Sequence, residues 1–265
     1  ARRWWMRAIL AVSFLFLYFP IVALIAFSFN NSKRNINWRG FTLKYYEKAF
    51  ANEALHDAFI NSMIVASIST LVSTVLGAML GILLYRFRFP LKGAYEGMVH
   101  LPIVIPEVCM GVALLAFFAA IKIPLGFTTK TVSHIAFTIP FVAVGIRARM
   151  AGFDRSLEEA ACDLGAGQWQ VMRDITLPYL KPGLIAGAML AFTLSLDDFV
   201  ITFFTSGPGS TTFPIKIYSM VRFSVTPEVN AASTLLIVLT LGLTVVAMWV
   251  QSRGDGGAGA RKDGA

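Results

Sequence analysis

The chain has 265 residues, 56% of them hydrophobic and only 14% charged, with a formal net charge of +8. A soluble domain carries about 25% charged residues, so this shortage of charge points to a bilayer rather than to a large water-facing body. The Lys and Arg gather at the ends of apolar runs and not along one polar face, which excludes a nucleic-acid footprint. Two cysteines, Cys109 and Cys162, cannot make a disulfide framework, and no metal-ligand spacing exists. His56, His100 and His134 are isolated in sequence, which favours core or interface roles.

Six uncharged or nearly uncharged runs follow one another, and a spanning helix needs roughly 20 residues. The first is Ala8–Phe29, preceded by Arg2, Arg3 and Arg7 and by the interfacial aromatics Trp4 and Trp5. It is longer than the apolar core of a cleaved leader and lacks a small-residue cleavage site, so it is expected to remain as an anchor. Residues 30–57 are basic and aromatic, and predict a short surface helix over Leu43–Asn52. Ala58–Tyr85 is the second run. Its Gly77 and Gly81, four apart, predict a close helix–helix approach. Gly97–Ile121 is the third, interrupted only by Glu107. Thr131–Ile146 is short, but Lys130, Arg147 and Arg149 can snorkel to extend the fourth span to about residue 150.

A polar stretch from Asp154 to Pro178 separates the fourth run from the fifth. Ser156 with Glu159 has the spacing of a capping box, Gly165 supplies a left-handed stop, and a second helical piece runs from Gln168 to Thr176, ending before Pro178. The fifth span is Pro182–Phe204, with Gly183 and Gly187 as a second close-packing pair and Asp197 and Asp198 as its only charges. Residues 205–230 turn at Gly207-Pro208-Gly209 and predict a short helix or strand over Phe213–Val221. Ala231–Gln251 is the sixth span, and residues 254–265, rich in Gly, Ala and charge, predict a disordered tail. With the N-terminus in the cytoplasm, 14 of the 23 Lys and Arg fall inside, although the outer segment 30–57 alone carries five. Short loops weigh most, so both termini and the 154–178 segment are expected inside.

Chemistry is sparse. GxxxxGK[ST] has no match, and Gly207–Thr211 lacks the lysine, so no nucleotide is expected on this chain. No nucleophile–base set is visible, and the chain is read as non-catalytic. The intramembrane acids are the informative residues, because a carboxylate in hydrocarbon is costly unless paired or wetted. Asp198 lies 16 residues beyond Pro182, about 24 Å along a helix. Asp197 and Asp198 diverge by ~100°, so one is expected to face an aqueous path while the other caps or pairs locally, with a basic partner such as Lys216 as one possibility. Ser195, Asp198, Phe199 and Thr202 share one face of a continuous helix, a mixture of acid, hydroxyl and ring suited to an amine cation. Glu107 follows Pro106 and reads equally well as a pathway acid or as the first turn of a helix restarted after a break.

The spacing Glu159-Ala160-Ala161, three residues, Gly165, nine residues, then Ile175-x-Leu177-Pro178 resembles the EAA loop of ABC-importer permeases, with every position filled. Phe27–Ser32, Phe192–Gly209 and Phe213–Ala231 resemble the permeases of spermidine/putrescine importers, and the similarity runs from about Tyr18 to Gln251. The resemblance implies an all-α membrane protein with six transmembrane helices of the type I ABC-importer permease (MetI-like) fold, forming one domain over residues 1–253. It implies that Ser156, Glu159, Ala160, Ala161, Gly165, Ile175, Leu177 and Pro178 belong to a coupling loop docked on a cytoplasmic ATPase. The implied partners are a second permease subunit, a homodimeric ABC ATPase holding ATP and Mg²⁺, a periplasmic polyamine-binding protein and the lipid bilayer. This chain is expected to bind no cofactor. An ABC permease for another solute, such as ferric iron or an anion, and an ATP-independent channel or secondary transporter are the competing readings; carboxylates in the path argue against the anions.

Overall fold

The structure is a computed structural model that describes residues 4–32, 37–223 and 226–259. Its helices are α1 (Trp4–Ser28), α2 (Lys44–Ala51), α3 (Glu53–Arg86), α4 (Lys92–Val104), α5 (Glu107–Ala120), α6 (Phe127–Met150), α7 (Ser156–Asp163), α8 (Gln168–Val171), α9 (Leu177–Asp197), α10 (Val200–Thr205), α11 (Phe213–Phe223) and α12 (Pro227–Gly259). Among the described residues five helices are long and apolar enough to cross a membrane, and the bent pair α4–α5 makes a sixth crossing if it counts as one span. Contacts divide the chain into two units, Ala1–Phe59 with Phe213–Leu239, and Ile60–Thr212 with Thr240–Ala265.

In the first unit α1 buries none of its membrane-length window within this chain. The segment after it folds back on Asn30, whose side chain donates to the carbonyl of Asn37 and accepts from the amide of Arg39, both at 2.8 Å. The predicted surface helix is α2, and the predicted helix or strand after the Gly-Pro-Gly turn is the helix α11. Ala49, Leu55, Phe213 and Ala232 form the buried centre of this unit. Asn52 donates to Glu228 across 3.0 Å beside it. Arg2, Arg3, Lys33 and Arg34, part of the charge pattern that set the expected orientation, lie outside the described residues.

The second unit is organised on α6. Val142, Ile146 and Met150 of α6 pack with Leu180 and Ala191 of α9 and with Ala78 of α3. The glycine pairs do what their spacing predicts. A Cβ on Gly77 would lie 2.7 Å from Val142 Cβ, and one on Gly81 would lie 2.6 Å from the carbonyl of Ala143. A Cβ on Gly183 would meet Arg149 Cδ at 2.7 Å. These seams therefore lie within the chain, where small residues let backbones approach.

Several expectations are corrected. The third span is not continuous, which bears out the reading of Glu107 as the first turn of a helix restarted after Pro106: α4 and α5 meet at 110° around Ile105 and Pro106. Pro106 has no N–H to continue the ladder, and Ile105, as a residue before proline, is extended (φ −68°, ψ 135°). The fifth span is also interrupted, because Asp198 is extended (φ −61°, ψ 125°) between α9 and α10. Ser195, Asp198, Phe199 and Thr202 thus do not lie on one continuous helix. The piece before Pro178 does not stop there. Met172–Thr176 forms a π-helical turn, with the Leu177 amide reaching back to Met172, and feeds directly into α9. Lys130 does not snorkel: it is fully buried, its ammonium donates to the carbonyl of Ser210, and it stands 4.8 Å from the centre of the Phe127 ring. Residues 254–259 of the expected tail are helical, and residues 260–265 lie outside the described set.

Candidate functional site

Two places collect the residues that the sequence singles out. The first is a polar centre where the broken spans meet. α10 packs on α5, and a Cβ on Gly111 would lie 2.6 Å from the Phe204 ring, so the two short helices touch four residues after each begins. Glu107 opens α5, and Asp198 precedes α10. Asp198 acts as the cap of α10. Its carboxylate accepts from the amide of Ile201 at 3.3 Å and from both the amide and the hydroxyl of Thr202 at 2.8 Å. An Asp side chain competes for amides in this way, which ends one helix and starts the next.

Asp198 is 8% exposed and stands 3.4 Å from His134 Nε2. The basic partner that the sequence left open is thus a histidine of α6. His134 Nε2 is 2.7 Å from Thr202 Oγ1, and Nδ1 is 2.6 Å from Ser195 Oγ, which in turn meets Ser69 Oγ of α3 at 2.9 Å. The bonds run in one direction: Ser195 donates to Nδ1, Nε2–H donates to Thr202, and Thr202 donates to Asp198. Thr129 adds a bond to the carbonyl of Thr205 at 2.8 Å. Ser195, Thr202 and Asp198 are therefore buried structure. Asp197 and Glu107 are exposed, and Asp197 lies within electrostatic reach of both Asp198 and Glu107. Phe199 is half-buried, its ring 5.6 Å from that of Phe203.

The second place is the hairpin α7–α8. Ser156 and Glu159 do not form the expected capping box. The Ser156 amide is taken by Asp154 Oδ1 at 3.0 Å, two residues earlier, which pre-empts the Glu159 carboxylate, and the Glu159 amide bonds the carbonyl of Arg155 at 3.1 Å. That bond holds the Asp154 carboxyl below its ordinary range. Gly165 does take the left-handed conformation (φ +88°), and the Ala166 amide closes on Ala161 at 2.9 Å. Glu159 and Ala160 are exposed, Ala161 is half-buried, and Ile175 packs against the core around Ile146. Leu177 and Pro178 sit at the start of α9, on its exposed side.

Leu164, which ends the apolar stripe Leu157, Ala160, Ala161, Leu164, is 90% exposed; sequence reasoning did not single out Trp169, 71% exposed, although an apolar side chain on a polar hairpin is a signal in itself. Trp169, Gln168, Glu159 and Asp163 line a groove of about 900 Å³ that reaches Phe87 beyond the end of α3. His134 was also missed as a hub. Its signal was the polar spacing Lys130, His134, Thr138, which puts three polar side chains on one face of an apolar helix.

Five described helices of membrane-crossing length with a bent pair beside them, a polar centre at the helix breaks and a hairpin presenting apolar side chains are the features of a multi-pass membrane protein. The chain matches the model of the family described as binding-protein-dependent transport system inner membrane component, over residues 73–255, and it belongs to that family of multi-pass inner-membrane permeases. More particularly, it is 39% identical over 249 residues to the spermidine/putrescine transport system permease protein PotC of Haemophilus influenzae, covering 94% of this chain and 97% of that protein. It is 38% identical over 258 residues to the putrescine transport system permease protein PotI of Escherichia coli strain K12, covering 95% and 92%. Its fold resembles that of a chain from a bacterial ABC transporter that imports the acidic polysaccharide alginate (TM-score 0.73, 18% identity, 95% and 96% covered). It also resembles a chain of the MetNI methionine ABC transporter (TM-score 0.64, 19% identity, 76% and 95% covered). The type I ABC-importer permease fold expected from the sequence is the fold found.

Proposed function

We propose that this chain is a permease subunit of an ATP-driven polyamine importer, forming half of the path for a di- or tricationic amine such as putrescine or spermidine. One observation carries the substrate class. In a chain similar to polyamine permeases, Asp197 and Glu107 stand exposed at adjacent helix breaks, while Asp198, next in sequence, is consumed internally. Exposed carboxylates at membrane depth need a wet or charged counterpart, and an alkylammonium group supplies one. They oppose an oxyanion.

The path is completed by a second permease, and a periplasmic polyamine-binding protein delivers the amine. A homodimeric ATPase, which holds the ATP and Mg²⁺, docks on α7–α8 from the cytoplasm, where both termini of this chain also lie. Leu164 and Trp169 provide the apolar contact and Glu159 a charged one. This chain carries no catalytic group for hydrolysis; it converts the closure of the ATPase into an opening of the cavity toward the outside.

The test is purification and uptake. The full complex, isolated by a tag on this chain, should contain an ATPase, and vesicles holding it should accumulate labelled putrescine or spermidine only with ATP inside and binding protein outside. A chain that isolates without an ATPase, or that passes amines without ATP, sinks the reading.

A further inference from the structure

Two glutamates stand side by side in α7, and only Glu159 belongs to the spacing that marks the loop. Adjacent residues on a helix point about 100° apart, and here they point to different destinations. Glu159 is exposed, whereas the Glu158 side chain is 13% exposed and uses both its oxygens. Oε2 pairs with Arg86, the last residue of α3. Oε1 accepts from the Thr176 hydroxyl at 2.6 Å. Thr176 is fully buried and closes the π-turn from which α9 starts. A second grip runs parallel to the first, with the Arg155 guanidinium 5.4 Å from the centre of the Tyr85 ring.

We propose that Glu158 is a positioning residue that ties the coupling helix to the inner ends of two spanning helices, α3 through Arg86 and α9 through Thr176. A displacement of α7 is thereby passed to two of the helices that carry the polar centre: α3 brings Ser69, and α9 brings Ser195 and Asp197. The site of attachment on α9 suits the task. A π-turn holds one residue more than an α-turn in each loop of its ladder, and such turns are frequent at functional sites. The alternative for an acid in a first helical turn is simple stabilisation of the helix dipole. A dipole role uses no specific partner, and it would be indifferent to Thr176 and Arg86. The proposal rests on the reading of α7–α8 as the ATPase-docking element.

The experiment uses the complete importer in proteoliposomes, with labelled putrescine, loaded binding protein and ATP. Glu158→Ala should still isolate with its ATPase, while amine transported per ATP hydrolysed falls at least tenfold. Thr176→Val, which removes one hydroxyl and keeps the shape, should lower the same ratio while leaving Arg86 paired. Glu158→Gln, able to keep both hydrogen bonds without charge, should fall between wild type and Glu158→Ala. An unchanged ratio in Thr176→Val overturns the proposal, and so does a loss in Glu158→Ala that merely follows loss of bound ATPase. If Glu158→Ala does not assemble, Thr176→Val alone decides. Absence of an ATPase from the wild-type preparation is a separate result: it defeats the docking reading and this proposal with it.

Discussion

The dipeptide Asp197-Asp198 gives a sharp test, because identical side chains one position apart are assigned opposite jobs. Asp198→Asn keeps the size but leaves one carbonyl oxygen and adds an NH₂ group facing donors. Asp198 accepts from two amides and one hydroxyl, so one or two of these three bonds are lost. Bonds to a charged acceptor are worth about 1.5–3 kcal/mol each, which puts the cost at roughly 1.5–6 kcal/mol. Asp197→Asn touches an exposed carboxylate and should cost under about 0.5 kcal/mol, as most surface changes do. The two variants, in the purified complex, are compared by thermal melting in detergent and by uptake of labelled spermidine at equal membrane level. Asp198→Asn should melt clearly below wild type. Asp197→Asn should melt with wild type yet raise the KM for spermidine about tenfold. Equal melting of the two variants, or normal uptake by Asp197→Asn combined with Glu107→Gln, would refute the division of labour.

Two further outcomes follow from the geometry. Gly207→Ala places a Cβ 1.9 Å from the backbone carbonyl of Leu125; backbone cannot yield as a side-chain tip does, so the chain should fail to accumulate in membranes, as read by immunoblot against wild type. Asp154 caps α7 with a carboxyl held below its ordinary value by the Ser156 amide. A depressed value in the folded state means that the cap's contribution is complete above the ordinary carboxylate range and is lost as the pH falls through the depressed value. Amide hydrogen exchange at Ser156–Glu159, corrected for its intrinsic pH dependence, should therefore lose protection on acidification, and Asp154→Asn, also a good cap, should abolish that dependence.

What was legible in the sequence was local or periodic. Apolar runs of membrane length mark the spans because hydrocarbon tolerates little else. Gly165 marks the stop of α7 because few other residues accept φ +88°. Gly77 and Gly81 mark the seam with α6 because nothing larger fits against Val142 and Ala143. The capping box failed for an equally local reason: two candidate caps stood two residues apart, and the spacing of Ser156 and Glu159 does not reveal that Asp154 takes the amide first. The break at Asp198 was hidden because hydropathy averages over a window and does not ask which amides a carboxylate captures. The hub at His134 was hidden because its partners Ser195 and Thr202 lie 61 and 68 residues away.

The contrast within the polar centre also bears on the proposed partnership with a second permease. In hydrocarbon an ionised carboxylate must be answered, and this chain answers Asp198 completely with its own histidine, threonine and amides. Asp197, the last residue of α9, and Glu107, the first of α5, are left exposed and within electrostatic reach of each other. Two like charges held near each other raise the energy of the empty site, and an ammonium group between them lowers it. A surface with that property is stable in a membrane only where water or another subunit covers it. On the proposed function, such a surface is the face on which a second permease and the amine would meet these two acids.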